Sequence, residues 1–162
     1  MIAMRDHRPP VSPGRLAEVQ AKLAELGHPI PPSYREFLSD HDGGDPVRDH
    51  FTFRQGDRDE HDVVQWFYGI EPSPEGDLVE IVELIPGRFL AGTLPIVADA
   101  SGNYLLLDRR DGRDGPVWFW DHDLQVDPPD QSNLFWVATD LHSFLDRLVE
   151  VPDPAPPVAP GR

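Results

Sequence analysis

The chain contains no cysteine among its 162 residues. This absence excludes disulfide bonds, zinc–thiolate sites, iron–sulfur clusters and thiol nucleophiles. The fold must therefore be stabilised by packing and hydrogen bonding alone. A chain without cysteine suits the reducing cytoplasm, and we expect a cytoplasmic protein that carries no cofactor.

Positive charge is scarce, and Lys22 is the single lysine. The 14 basic residues are outnumbered by 29 acidic ones, which gives a formal net charge of -15. Most of the arginines are interleaved with aspartates, so no basic patch opposes the overall negative field. Phosphate-rich ligands would be repelled by this field, and we predict no nucleic-acid partner.

Long hydrophobic runs are also missing. No stretch approaches the roughly 20 apolar residues that span a membrane. The N-terminal segment carries charges where a secretory signal would need a continuous apolar run, so we expect neither membrane insertion nor export. The chain length and the 39% apolar content fit one globular domain.

Familiar catalytic motifs are absent as well. The sequence has no Gly-x-Ser-x-Gly elbow, no His-Glu-x-x-His pair and no phosphate-binding loop. Asp140, His142 and Ser143 lie one and two residues apart on one predicted helix, so their side chains point in different directions and cannot form a relay. We therefore predict a protein that is not an enzyme.

Metal ligands occur at useful density in two segments, residues 57–62 and the triplet Asp121, His122 and Asp123. An Asp-x-Asp pair can hold a divalent cation through hard oxygen ligands. In so acidic a chain, however, such pairs also arise from composition, and we predict no bound metal. A metal-assisted enzyme that uses the triplet remains an alternative, which calorimetry with divalent ions would test.

Helix signals divide the chain. Four segments combine a start signal with apolar residues at helical spacing, and they begin at Ser12, Pro31, Ser73 and Thr139 or Asp140. The first is predicted to end at Gly27, and the second at a double glycine. The third could also be a strand, because it is rich in β-branched residues.

Strand signals lie between these helices. Residues 94–120 predict a three-stranded antiparallel meander, because three apolar runs are separated by turn-forming residues. Phe51 and Phe53 alternate with Thr52 as in a strand, and residues 63–68 form a second run rich in β-formers. We predict that these two runs form a hairpin whose charged, mobile tip spans residues 55–62.

The predicted fold is therefore α+β, a single domain with a central antiparallel sheet packed against N-terminal and C-terminal helices. The sheet is expected to combine the hairpin with the meander. We place the domain at residues 12–149, after a flexible N-terminus of residues 1–11. Residues 150–162 are predicted to form a disordered tail, because five prolines in the last twelve residues remove backbone donors.

Tryptophan is a frequent interface anchor, which makes each of the tryptophans a candidate binding residue. Alternation along a strand would place Trp118 and Trp120 on one face and Phe119 on the other. One of these faces must cover the core, which favours a packing role for this cluster. Trp66 and Tyr68 are the better surface candidates, because they border the acidic hairpin.

Three blocks of the sequence carry a family resemblance. They read LGHPIPPSYREFLSDHDGG at residues 26–44, LPIVADASGNYLLLD at residues 94–108 and ATDLHSFLDRL at residues 138–148. In this order, they resemble the SUKH superfamily, the Smi/Knr-type domains. One departure is Asp42, which precedes the double glycine where the family pattern usually has Asn; both residues tolerate turn conformations.

The resemblance implies an α+β fold and, in bacteria, immunity to a toxin delivered by a neighbouring cell. Toxins that attack nucleic acid carry basic clefts, and an acidic partner would dock on them with electrostatic steering. We therefore expect a basic toxin domain as the protein partner. The candidate protein-binding residues are Asp57, Asp59, Glu60, Asp62, Trp66, Tyr68, Asp121 and Asp123.

The main alternative under the same resemblance is a regulatory or scaffold module, like the family members that act in cell-wall signalling. Such a module would bind a resident protein. A neighbouring toxin gene would favour immunity, whereas a loss phenotype without any toxin would favour the scaffold.

Overall fold

The computed structural model describes residues 2–6, 8–84 and 86–151. The helices of this part are α1 (Pro13–Glu25), α2 (Pro32–Asp40), α3 (Leu78–Leu84) and α4 (Leu141–Arg147). The strands are β1 (His50–Gln55), β2 (Arg58–Val63), β3 (Trp66–Phe67), β4 (Thr93–Ala98), β5 (Tyr104–Asp108), β6 (Val117–Trp120) and β7 (Leu134–Ala138), and a short 3-10 helix, His122–Leu124, follows β6. The predicted α+β fold is confirmed.

All seven strands form one antiparallel sheet in the order β2-β1-β7-β6-β5-β4-β3. In a flat sheet, the outer strands β2 and β3 would lie about 29 Å apart, since neighbouring strands are spaced by about 4.8 Å. Only two residues connect β2 to β3, however. A link of that length spans at most about 11 Å. The sheet must therefore curl until its two edges approach each other.

One face of the curled sheet forms the main core with the helices. Phe53 of β1 stacks on Phe119 of β6 with ring centroids 4.0 Å apart. Phe144 of α4 contacts Phe51, and Phe37 of α2 contacts Phe67 of β3. We call this the inner face of the sheet; the opposite face is the outer face.

Three predicted helix starts are found where the sequence places them. The Ser12 side chain accepts a hydrogen bond from the Arg15 backbone N–H, and α1 begins at the following proline. Asp140 caps α4 by accepting from the backbone N–H of Ser143 at 2.7 Å. Helix α2 begins at Pro32. These three helix starts coincide with local sequence signals.

The third helix starts later than predicted. Ser73 lies in a turn, where its carbonyl oxygen accepts from the Gly76 backbone N–H. Asp77 provides the cap instead, because its carboxylate accepts from the backbone N–H groups of Val79 and Glu80, both at 2.9 Å. The prediction chose the wrong cap among neighbouring cap-forming residues, although the helix itself is confirmed.

The predicted hairpin is wrong in its second strand. β1 pairs with the charged segment Arg58–Val63, and only Gly56 and Asp57 form the turn. Residues 63–68 instead lead to β3, which pairs with β4 at the other edge of the sheet. The charged segment gave no strand signal because an edge strand needs no apolar alternation. The meander is confirmed as β4, β5 and β6, and β7 was not predicted.

The segment before α1 makes contacts that the sequence did not reveal. Ile2 and Val11 are buried in the main core. The Arg5 guanidinium donates to the carboxylates of Asp45 and Asp49 at 2.7 and 2.9 Å. These contacts attach the segment to the domain well before residue 12. The predicted proline-rich tail lies outside the described residues from residue 152 onward.

Across residues 2–6, 8–84 and 86–151, none of the helices has both the length and the apolar character that crossing a membrane requires.

A close backbone crossing connects the end of α2 to the segment after β3. Gly44 exchanges backbone hydrogen bonds with Phe67 at 2.9 and 2.8 Å. Gly43 has a φ of 70°, which favours glycine, and a Cβ there would overlap the backbone of residues 67–69. At Gly69, a Cβ would overlap the carbonyl oxygen and the carboxylate of Asp42. The two segments can approach this closely only because each has a glycine at the crossing, Gly43 in one and Gly69 in the other.

We predict that Gly69→Ala lowers the free energy of unfolding by about 3 kcal/mol, because an added methyl group must displace backbone atoms. Urea denaturation followed by circular dichroism measures this change. The matched control is Gly14→Ala in α1, where a Cβ meets nothing within 4 Å. The control is expected to leave stability unchanged or to raise it slightly. Equal stability of the two variants would contradict the proposed crossing.

Candidate protein-binding surface

The strand registers place a row of side chains on the outer face of the sheet. Arg54 of β1 lies opposite Trp136 of β7, and Trp136 lies opposite Trp118 of β6. Trp118 in turn lies opposite Leu106 of β5. Directly opposite residues share one face of an antiparallel sheet. We call Arg54, Trp136 and Trp118 the outer row.

The chain neighbours of the outer row confirm its direction. Phe53 and Phe119, which precede Arg54 and follow Trp118, are both buried in the main core. Val137, which follows Trp136, is also buried there. Alternation therefore turns the outer row away from the core. As predicted, Trp118 and Trp120 share one face and Phe119 faces the other way.

Trp136 is the most exposed aromatic side chain of the row, with 38% of its surface accessible. The Arg147 guanidinium lies 5.3 Å from the centre of its ring, in a cation–π arrangement. Arg147 is itself held by a hydrogen bond of 3.0 Å to the Val137 carbonyl. Trp136 is therefore supported from one side while its remaining surface faces solvent.

Trp118 is fixed by a hydrogen bond from its indole nitrogen to the Asp108 carboxylate, at 3.0 Å. Arg110 binds the same carboxylate at 2.6 Å. Burial opposes ionisation of Asp108, but the hydrogen bonds from Arg110 and Trp118 outweigh it, and the pKa of Asp108 is lowered. The indole of Trp118 is thus held by a partner that stays charged at neutral pH.

Residues 88 and 89 cover part of the outer face. Phe89 packs on Leu106 and Trp120 in a second, smaller cluster. The Arg88 guanidinium lies over this cluster, 4.9 Å from the Trp120 ring and 5.4 Å from the Tyr104 ring. The loop that carries residues 88 and 89 therefore closes the part formed by β5 and β6. Within the outer row, Arg147 of α4 contacts Trp136, which nevertheless remains exposed.

The predicted acidic residues of the hairpin do not lie on one face. Asp57 is in the turn, and Asp59 faces outward, where it accepts a hydrogen bond of 3.0 Å from Arg54. Glu60 and Asp62 lie opposite Phe53 and Phe51, so they point toward the inner face. Only the first two acids are therefore next to the outer row.

Asp121 and Asp123 lie at the same end of the sheet as the hairpin turn. Trp120 at the end of β6 pairs with Leu134, and Arg54 near the end of β1 pairs with Trp136 two residues further along β7. The ends of β1 and β6 therefore point the same way. This end also exposes Leu124 and Val126. Four of the predicted acids border it, namely Asp57, Asp59, Asp121 and Asp123, and we call them the acidic rim.

Trp66 and Tyr68 are not placed as predicted. Tyr68 is only 4% exposed and belongs to the main core, and burial raises the pKa of its hydroxyl. Trp66 is half-buried against the core, with the Arg8 guanidinium 5.7 Å from the centre of its ring. The sequence predicts both residues beside the acidic hairpin. In the structure, Trp66 pairs with Ala98 of β4, at the opposite edge of the sheet from β2. Tyr68 therefore cannot present its ring to a partner in this structure.

The triplet Asp121, His122 and Asp123 places one potential ligand atom of each residue within 4.8 Å of the others. Local contacts account for this arrangement. His122 Nδ1 contacts the Asn103 side-chain oxygen at 2.8 Å, and the Asp121 carboxylate accepts from the Asp123 backbone N–H at 2.9 Å. The absence of a metal site stays a prediction, with calorimetry as its test.

The model of the SMI1 / KNR4 family (SUKH-1) matches residues 10–147. The chain belongs to this family. The SUKH-1 motifs noted in the sequence correspond to the Gly43 and Gly44 crossing, the turn at Asn103 and the buried Phe144 of α4.

One curated relative is the SPbeta prophage-derived uncharacterized protein YokK of Bacillus subtilis (strain 168). It is 25% identical to this SUKH-1 chain over 142 residues, which cover 78% of this chain and 70% of the relative. Comparison with solved structures gives no significant match.

Asp62, one of the candidate acids, has a raised pKa. Burial, together with the neighbouring Asp99 carboxyl, raises the pKa of Asp62 to about 6. Asp99 is 5% exposed and accepts hydrogen bonds from the backbone N–H groups of Ser101 and Asn103. The two carboxyl groups lie close together where β2 approaches the segment after β4, and they repel each other when both are ionised.

We predict that Asp62→Asn stabilises the protein above pH 6. A carboxyl whose folded pKa exceeds its unfolded value opposes folding increasingly as the pH rises from the unfolded pKa, about 4, to the folded pKa, about 6, and the cost is constant above that pH. An amide removes this cost. The gain should be about 1 kcal/mol at pH 8, because solvent screens the partly exposed group. Urea denaturation at several pH values should show the gain vanishing near pH 4. Asp57→Asn, in the exposed turn, is the control; a pH-independent effect of Asp62→Asn would contradict the interpretation.

Proposed function

We propose that this SUKH-1 domain is a non-enzymatic immunity protein that binds and neutralises a basic bacterial toxin domain in the cytoplasm. The observation that carries the proposal is the exposed Trp136 of the outer row beside the acidic rim. An exposed tryptophan supported by arginine, within a negatively charged border, has the composition of a protein-binding surface.

The chemistry of the outer row supports a protein partner rather than a small substrate. Tryptophan and arginine dominate the binding energy of many interfaces, because they bury a large area and retain directional donors. Arg54, Trp136 and Trp118 provide such groups on one rigid sheet face. Trp118 and Trp136 are held by Asp108 and Arg147, so little side-chain freedom would be lost on binding.

The charge of the domain supports a basic partner. The net charge of -15 attracts cationic proteins over long range and raises the association rate. The acidic rim concentrates part of this charge at the end of the sheet that also exposes Leu124 and Val126. A basic nuclease-type toxin would match both features. The prophage origin of the Bacillus relative fits a gene carried by a mobile element, where immunity to a toxin would be useful.

Affinity capture of the tagged protein from its own cells, at low and moderate salt, tests the proposal. A basic toxin-like partner that is released as salt rises is the expected result. Capture of a resident regulatory or envelope protein would favour a scaffold function instead. Once the partner is purified, surface variants can be compared by calorimetry and stopped-flow kinetics.

We predict that Trp136→Ala weakens partner binding by about 30-fold, since loss of an interface anchor costs about 2 kcal/mol. Leu84→Ala is the matched control, because Leu84 is a 64% exposed apolar residue on α3. Circular dichroism should show that both variants are folded. Unchanged affinity of Trp136→Ala would exclude the outer row as the docking surface.

We predict that neutralising the acidic rim acts mainly on the association rate. Replacement of Asp57, Asp59, Asp121 and Asp123 by Asn should slow association about tenfold at low salt and flatten its salt dependence. A control with the same charge change carries Gln at Glu18, Glu25, Glu75 and Glu150, which lie outside the rim. Equal kinetics of the two quadruple variants would mean that only total charge matters and that the rim does not orient the partner.

A further inference from the structure

A second candidate site lies between α2 and α4, on the inner side of the sheet. A pocket of about 150 Å³ opens there. Helices α2 and α4 contact the inner-face residues Phe67 and Phe51 through Phe37 and Phe144. The outer row projects from the opposite face. The pocket is therefore independent of the surface proposed above.

The floor of the pocket is partly apolar and partly polar. Phe37 and Leu141 are buried side chains that line it. Ser33 is 6% exposed, and its hydroxyl oxygen is buried without a hydrogen-bond partner among the described residues. His41 also lines the pocket, and its Nε2 atom is likewise buried without a hydrogen-bond partner among the described residues. Two orphaned polar atoms beside one small cavity are unusual, because buried polar groups in folded proteins are normally paired.

Ser33 is held in place by its surroundings. Its backbone N–H donates to the Asp114 carboxylate at 3.0 Å, and the residue lies in the first turn of α2. His41 follows the last residue of α2, and its ring contacts that of Phe37 at 5.7 Å. The two orphaned atoms are thus attached to the two ends of one short helix, and neither residue is part of a mobile loop tip.

The rim of the pocket is negatively charged. Three exposed carboxylates line it, those of Glu36, Asp40 and Asp146, against the single guanidinium of Arg48. His142 Nε2 lies 3.9 Å from the Glu36 carboxylate at the same rim. With histidine neutral, the ionised groups leave two negative charges around the opening. The two orphaned atoms could each bind a hydrogen-bond donor or an acceptor. The negative rim decides between these ligands, because it would repel an anion.

We infer that this pocket receives a cationic side chain, a lysine or an arginine, of a protein partner. Such side chains combine an apolar stem with a head that only donates hydrogen bonds. The stem fits the floor formed by Phe37 and Leu141, while the head can donate to Ser33 Oγ. His41 Nε2 lies at the other end of α2, about 12 Å away along the helix, and is not needed as a second acceptor for the same head. Its charge is complementary to the rim. The volume suits one side chain and excludes a folded segment.

The test uses methylguanidinium and n-butylammonium as probes of the full-length protein, with backbone and histidine nuclear magnetic resonance shifts as the readout. Butyrate and n-butanol, of similar size but anionic and neutral, are the matched controls. We expect both cations, up to 100 mM, to shift resonances of residues around Ser33, His41 and His142, and the controls to leave them unchanged. Absence of these shifts with the cations, or equal shifts with butyrate or n-butanol, would overturn the inference.

Two variants separate the pocket from general attraction of cations to an acidic protein. Ser33→Ala should weaken cation binding about fivefold, and the triple variant Glu36→Gln, Asp40→Asn and Asp146→Asn about tenfold. A control triple variant, Glu18→Gln, Glu25→Gln and Glu150→Gln, removes the same charge elsewhere and should retain binding. If both triple variants bind equally, the rim does not select the ligand and the inference fails. Trp136→Ala leaves the pocket intact. Failure of the pocket inference, read from the two triple variants, is therefore distinguishable from failure of the outer-row proposal, read from Trp136→Ala.

Discussion

The buried carboxylate of Asp42 is the contact that sets the relative positions of the other parts. It is 1% exposed and accepts hydrogen bonds from the Ile70 backbone N–H at 2.6 Å and from the Arg8 guanidinium at 2.8 Å. A buried charge is tolerated only when it is paired and hydrogen-bonded, and Asp42 meets both conditions. It connects the end of α2, the segment after β3 and the N-terminal segment. An asparagine at this position would be uncharged and would turn its amide donors toward Arg8 or Ile70, so the aspartate and the arginine form a matched pair.

The two faces of the curled sheet are covered by different parts of the chain. The inner face is closed by α2 and α4, and the junction at Asp42 positions α2 against β3. On the outer face, Arg88 and Phe89 lie over Trp120. β7 inserts between β1 and β6 and places the exposed Trp136 on this face. The surface that we assign to partner binding therefore results from the strand order, and it lies beside acids contributed by the hairpin turn and by the 3-10 helix.

The local parts of this fold could be predicted from sequence because each depends on a few adjacent residues. Ser12 and Asp140 cap helices through their own first turns, and the meander has a short connection between each pair of strands. The candidate surface could not be predicted, because it depends on the pairing of Arg54 with Trp136, which lie far apart in the chain. The path of residues 63–68 also depends on distant contacts, because the sheet curl directs this segment to β4. The sequence therefore predicts a surface position for Tyr68, which is in fact buried.

Site-specific photo-crosslinking tests the central claim most directly. A photoreactive phenylalanine analogue placed at position 136, with a second variant at position 84, would be irradiated in cells that contain the partner. The account predicts that a basic protein is crosslinked through position 136 and not through position 84. Crosslinking of that partner through position 84, with none through position 136, would contradict the assignment of the outer face as the binding surface.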